Sequence, residues 1–551
     1  MMVFLLGLAC TKQEGISPDD IKMVWVEPET VDLVTTSETA GRSDFEAFVE
    51  LKTGESYSLD LVSWEISNLS SGVISSEGTF TAVQTNGGIT EVIAKHMGHE
   101  GKANVRVVYK ENISVGDIDT SIINAFEAAS PQASEMPALL YPYDGVTVPR
   151  NLDGLGFTWS DDSTNDGMIY RIHFETQITD VSVYTSAFEW ISDHELWELI
   201  SAANRQGEVS VSVEAGLWDG SSLTNVRQGP SIDMIVNRLD ARGSVLYWGG
   251  ATGSIMRIPI AEAEAEIFIE TNNCVGCHAL VDSTSRLVVT HGGVDGRFSV
   301  YDVEEPTDPF EIVGTSDYSR LTFKTVSPDG KFILGTNGPE MTLYELETGV
   351  KIRSWQFDRP VTHPDWAPDG DEIVFVRIQG MARSDMEFSG GELVRVFLDR
   401  DTLELGQEEI LLEDDLDINF YYPAYSPDGD WIAYNRASNH NPRGCYAAPD
   451  AELWLMSRNG TRHIRLDNAN GEGSLQNSYP RWGPLPDDDV LWLAYSSKRD
   501  YALEYTPSPQ IWLTAIRPEL AAQGQDPSSA PLWLPGQDNL SDNHLPVWWS
   551  K

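Results

Sequence analysis

A short turn recurs through the second half of this chain and constrains its fold more than any other feature. Ser327-Pro-Asp-Gly330 precedes the run Lys331-Phe-Ile-Leu334, and Ala367-Pro-Asp-Gly370 precedes Asp371-Glu-Ile-Val-Phe375. Ser426-Pro-Asp-Gly429 precedes Asp430-Trp-Ile-Ala-Tyr434, and a degenerate copy, Gly483-Pro-Leu-Pro486, precedes Leu491-Trp-Leu-Ala-Tyr495. The first prolines of these turns lie 40, 59 and 57 residues apart. Pro presets φ, Asp bonds the backbone and Gly takes positive φ, so each copy turns one strand back on the next. A β-unit repeated at this period stacks radially into a propeller.

A Pro-x-aromatic step accompanies the turns at Pro364-Asp-Trp366, Pro423-Ala-Tyr425, Pro480-Arg-Trp482 and Pro546-Val-Trp548. Together these elements resemble the TolB-type β-propeller, across residues 241–551. Six blades are expected. The first begins at Val245 and includes Gly253 to Ile258; the others follow at Arg286, Lys331, Glu372, Trp431 and Leu491. The terminal His544-Leu-Pro-Val-Trp-Trp549 is expected to join the first blade and close the ring.

Upstream, Met23-Val-Trp-Val26, Ser63-Trp-Glu-Ile66, Gly78-Thr-Phe-Thr-Ala82 and Ala103-Asn-Val-Arg-Val107 read as strands. Their order resembles bacterial group-2 immunoglobulin-like domains over residues 23–110. Residues 111–136 read as a linker rich in Ser, Ala and Asp. Residues 137–240 resemble a fibronectin-type-III domain, with a helix after Ser192-Asp-His-Glu195, which has capping-box spacing. The expected fold is therefore all-β: two β-sandwich domains followed by a six-bladed propeller.

Residues 1–22 read as an export signal and tether. Val3 to Ala9 is apolar but far too short to span a bilayer. Leu6-Gly-Leu-Ala-Cys10 resembles a bacterial lipobox, which implies lipidation of Cys10, export, and residence at the outer membrane, periplasm or cell surface. No other segment is apolar enough to cross a membrane, so contact is expected only through the N-terminal lipid.

One motif carries chemistry. Cys274-Val-Gly-Cys277-His278 resembles a c-type cytochrome attachment site, which implies covalent haem c on Cys274 and Cys277 with His278 as proximal iron ligand. Aligning Asp282-Ser-Thr-Ser285 with Ser327-Pro-Asp-Gly330 places the motif in the innermost strand of a blade. His278 then occupies the same register as Phe323, His363, Tyr422 and Tyr479. His363 is the first candidate for a distal iron ligand, ahead of His544, His291 and Met341. Other fates fit the same residues: a disulfide, a relic with no ligand, or a zinc set with Cys445.

The chain has 37 Lys and Arg against 85 Asp and Glu, a formal net charge of −48. Such a surface repels nucleic acid. No Gly-x-Ser-x-Gly elbow is present, so a propeller hydrolase lacks its nucleophile. Two functional readings remain. One is a lipid-anchored scaffold binding protein or glycan at the propeller mouth. The other is a single-haem electron carrier with a basic redox partner.

Overall fold

In the computed structural model, residues 17–551 are described apart from 164–165, 206, 272–273, 293–295, 306–308, 315–320, 416, 440–444, 446, 485–489 and 502–507. Cys10 lies outside the described residues. Almost all regular structure is β, and no helix among the described residues is long and apolar enough to cross a membrane.

Six antiparallel sheets form the propeller. Their innermost strands are Asn543–Trp549 for blade 1, Val275–Val281 for blade 2 and Lys324–Val326 for blade 3. Val361–Trp366, Ile418–Tyr425 and Ser478–Trp482 follow for blades 4, 5 and 6. Blade 1 is closed by the end of the chain: Ser244–Gly249 pairs on one side with Ser254–Pro259 and on the other with Asn543–Trp549. Trp549 is fully buried there. This pairing removes the free sheet edges an open ring would expose.

The recurrent turns close the hairpins between first and second strands. Ser327 Oγ accepts from the Phe332 N–H at 2.9 Å, and Ser426 Oγ accepts from the Trp431 N–H at 3.0 Å. Gly330, Gly370 and Gly429 take φ of 67, 82 and 76°, which a side chain would strain. In blade 2, Ser285 takes the equivalent left-handed position, φ 52°. That turn is tighter than expected from the alignment, since Arg286 lies opposite Val281 whereas Ile333 lies opposite Val326.

Two sandwiches precede the propeller, and the expected linker between them is structured instead. One strand, His99–Ser114, pairs within the first sandwich and continues beside Thr179–Thr185 of the second. A single sheet therefore runs through both units. The helix Thr120–Glu127 buries Ile122 and Phe126 against Ile169 and Tyr184. Its apolar residues sit four apart, so one face of the helix has a core to meet. In the second sandwich, Asp193 rather than Ser192 caps the helix His194–Ala203, accepting from the Leu196 N–H at 2.8 Å.

The second sandwich is packed onto blades 6 and 1. Tyr141 is buried there, and its hydroxyl accepts from the Trp533 N–H at 3.0 Å. Its ring meets Tyr501 and Trp512 edge-on, at 5.0 and 6.3 Å between centroids. One apolar cluster spans both units.

Candidate functional site: the propeller channel

The innermost strands wall the central channel, and those of blades 1, 4, 5 and 6 carry an irregularity at the same place. In blades 4, 5 and 6 the register slips between Thr362 and Asp365, Tyr421 and Ala424, and Ser478 and Arg481. The residues before proline there, His363, Tyr422 and Tyr479, take φ of 48, 49 and 56°, as does Leu545 at 55°. A β-bulge re-aims a side chain, and here it turns successive blades toward one point. Phe323 meets His363 at 4.2 Å, His363 meets Tyr422 at 4.0 Å, and Tyr422 meets Tyr479 at 4.2 Å between ring centroids. The Tyr422 hydroxyl donates to the Tyr479 oxygen at 2.9 Å. These rings plug the channel.

Val275–Val281 is the innermost strand of blade 2, so the Cys-x-x-Cys-His motif lies inside the propeller wall. The motif's three side chains do not converge. Cys274 is exposed at the mouth, beside Gly253 of blade 1. A bulge between Gly276 and His278 turns Cys277 and His278 toward the channel. There they line a cavity of about 20 Å³ with Phe323, Lys324, Tyr479, Arg481 and Leu545 to Val547.

His278 is buried, and neither ring nitrogen makes a hydrogen bond of good geometry. Burial, then Lys324 and Arg481, push its pKa down to about 3, outweighing the nearby Leu246 backbone. The imidazole is therefore neutral. Burial raises the Cys277 thiol, against the pull of Lys324 and Arg481. Lys324 Nζ donates to the Cys277 main-chain oxygen at 2.6 Å and to Thr290 Oγ1. Burial lowers its pKa to about 8. Asp365, half-buried in the wall, accepts from the Tyr425 N–H at 2.7 Å, and desolvation raises its carboxyl to about 6.

A haem does not fit this arrangement. The cavity has room for about one water molecule, whereas organic cofactors occupy pockets of roughly 300 Å³ or more. Cys274 stands outside while Cys277 and His278 stand within. His363, the expected distal ligand, is packed between Phe323 and Tyr422, and its Nδ1 accepts from the Tyr422 N–H at 3.5 Å. Of the other candidates, His544 lies beside Tyr479. His291 bonds Ser299 at 2.8 Å between the second and third strands of blade 2, and Met341 is core in blade 3.

A zinc set does not form either. Cys445 is buried, and its thiol donates to the Met386 oxygen at 2.9 Å. The three described cysteines are free thiols, and no group of three His, Cys, Asp or Glu among the described residues is arranged for a metal.

Sequence reasoning missed Lys324, Arg481 and Asp365. A signal existed. Asp365 and Arg481 are the middle residues of two Pro-x-aromatic steps, and Ala424 and Val547 hold that place in the other two. Lys324 is a lone charge in the short inner strand Lys324–Val326.

No family model matches the chain, and no curated protein matches it. Solved structures similar to it include a TolB from Agrobacterium tumefaciens, 16% identical, covering 56% of this chain and 95% of that one with a TM-score of 0.34. TolB from Acinetobacter baumannii is 13% identical and covers 62% and 80%, with a TM-score of 0.36. Hydrazine synthase from Kuenenia stuttgartiensis is 15% identical and covers 44% and 70%, with a TM-score of 0.32. The six-bladed fold itself rests on the strand pairings above.

Proposed function

We propose that this is an exported, lipid-anchored propeller protein that docks a basic protein on one acidic mouth of the propeller. The observation that carries this reading is the loop set at the end where the innermost strands begin. Residues 379–390 join the second and third strands of blade 4, and residues 439–451 do the same in blade 5. Glu413 to Asp417 leads into blade 5 beside them. The loops are tied together: Asn439 Oδ1 accepts from the Gly390 N–H at 2.9 Å, and its amide donates to the Asp415 oxygen at 2.7 Å.

This surface gathers Glu387, Glu413, Asp414, Asp415, Asp417 and Asp450, while Arg383 is the only Lys or Arg among its described residues. Burial and the charges of Glu392 and Asp415 hold the Asp414 carboxyl above its usual range, a sign of carboxylates crowded together. Such a face attracts a basic partner and speeds its encounter. Met381 is the one exposed large apolar side chain in the described part of these loops. The plugged channel supports surface docking over internal binding. Export and anchoring follow from the lipobox-like Leu6 to Cys10. Electron transfer through haem is not part of this reading, because the motif's side chains do not converge.

The test is binding to an immobilised decalysine peptide at several salt concentrations. Wild type is expected to bind, more weakly as salt rises. The variant Asp414→Asn/Asp415→Asn/Asp417→Asn is expected to lose most binding. Glu29→Gln/Asp60→Asn/Glu189→Gln removes the same charge from exposed sandwich positions and is expected to keep it. Equal loss in both variants would reduce the effect to net charge and overturn the proposal.

A further inference from the structure

The channel cavity is lined by two cations that make no ion pair among the described residues, Lys324 buried and Arg481 half-exposed. Lys324 is buried, and its ammonium is satisfied by neutral oxygens only, the Cys277 carbonyl and Thr290 Oγ1. The only group acting on it with opposite sign is the Cys277 thiol, which is itself raised toward its neutral form. Arg481 donates to the Pro480 carbonyl at 3.0 Å, one bond for a group with five N–H donors. Among the described residues no carboxylate stands within ion-pair distance of either cation. Asp365, half-buried and bonded by the Tyr425 N–H, feels the charge of Arg481, whereas no described carboxylate acts on Lys324.

A buried charge without a partner is costly, and proteins compensate it with an ion of opposite sign or a hydrogen-bonded network. Here the donors converge on one space. Lys324, Arg481 and the ring of His278, buried and with both nitrogens unpartnered, line the same 20 Å³ cavity. A neutral imidazole supplies one N–H and repels no anion. The two cations exclude a metal ion, although a thiol and an imidazole are also present. The volume admits one atom-sized guest.

We propose that this chamber binds a small monovalent anion of halide size, held by Lys324, Arg481 and the His278 N–H. The anion supplies the missing counter-charge and ties the inner strands of blades 2, 3 and 6 together. It is a separate site from the acidic mouth and does not depend on the docking proposal.

Crystals of the full chain grown in sodium bromide, with diffraction recorded at the bromine edge, test this directly. An anomalous peak between Lys324 Nζ and the Arg481 guanidinium is expected. Bromide found on the outer surface alone overturns the proposal. In solution, thermal midpoints in sodium bromide and sodium gluconate are compared at equal ionic strength, gluconate being too large to enter. Wild type is expected to melt higher in bromide, by a margin that grows with concentration. Lys324→Met/Arg481→Met is expected to lose that margin with its β spectrum intact. If it does not fold, Arg481→Gln, at a half-exposed position, is expected to narrow it. Equal midpoints for wild type in the two salts contradict the site.

Discussion

Lys324 Nζ donates to the main-chain oxygen of Cys277 at 2.6 Å, stitching the inner strand of blade 3 to that of blade 2. A lysine thus serves as a structural clamp in the propeller's centre, at a place where burial works against its charge.

That conflict sets a pH dependence. Burial lowers the folded pKa of Lys324 to about 8 from an ordinary 10.5, beside Cys277, His278 and Arg481. Between these values the unfolded chain binds more protons, so stability rises with pH from about 8 to 10.5. In gluconate the rise is expected to reach at most about 3 kcal/mol. Urea unfolding at pH 7.5 and 9.5 checks it. The gap between wild type and Lys324→Met should move in favour of wild type at the higher pH, and a constant gap counts against the burial of a charged amine.

Asp365 works in the opposite direction. Its folded pKa is raised to about 6 from 3.8, chiefly by burial. The folded state holds the extra proton, so this group's contribution is fully present below about 3.8 and fades as pH rises through 6. Asp365→Asn keeps an acceptor for the Tyr425 N–H and removes the charge. It is expected to be more stable than wild type at pH 7, by up to about 3 kcal/mol, with the advantage vanishing near pH 4. Unfolding curves at the two pH values decide it.

The junction between sandwich and propeller should behave as core. Tyr141→Phe leaves the buried Trp533 N–H without its acceptor and is expected to cost about 1–3 kcal/mol. Tyr141→Ala also opens a cavity against Tyr501 and Trp512 and is expected to cost about 3–5 kcal/mol. Calorimetry should show one cooperative transition in wild type and a separated sandwich transition in Tyr141→Ala.

The proposed anchor rests on Cys10. Cells expressing wild type should carry the protein in the membrane fraction, labelled by radioactive palmitate. Cys10→Ser is expected to be unlabelled and released to the soluble fraction, because a lipid chain supplies the membrane affinity.

Much of this architecture was legible in the sequence. The turn Ser/Ala-Pro-Asp-Gly has one geometric meaning wherever it occurs, so the second strands of blades 3, 4 and 5 could be read directly from it, and the closing strand at His544 from its Pro-x-aromatic step; the expected register of His278 with His363 does not hold, because the tighter blade 2 turn sets His278 level with Asp365. The linker was misread because a helix of eight residues, Thr120–Glu127, has too few turns for its apolar pair to stand out from Ser and Ala. The channel chemistry was hidden for another reason. Lys324 and Arg481 lie 157 residues apart in the chain and meet only because the ring closes. The Cys-x-x-Cys-His spacing implies converging side chains, whereas here Cys274 is exposed and Cys277 lines the channel cavity behind a bulge.

The measurement that bears most directly on this account is the visible spectrum of the full chain produced with bacterial haem-attachment machinery. Folded protein is expected to show no sharp reduced α-band after acid-acetone extraction, and Cys277→Ser should leave its spectrum unchanged. An α-band that survives extraction, and disappears in Cys277→Ser, would contradict the assignment of Val275–Val281 as a plain inner strand and restore the electron-carrier reading.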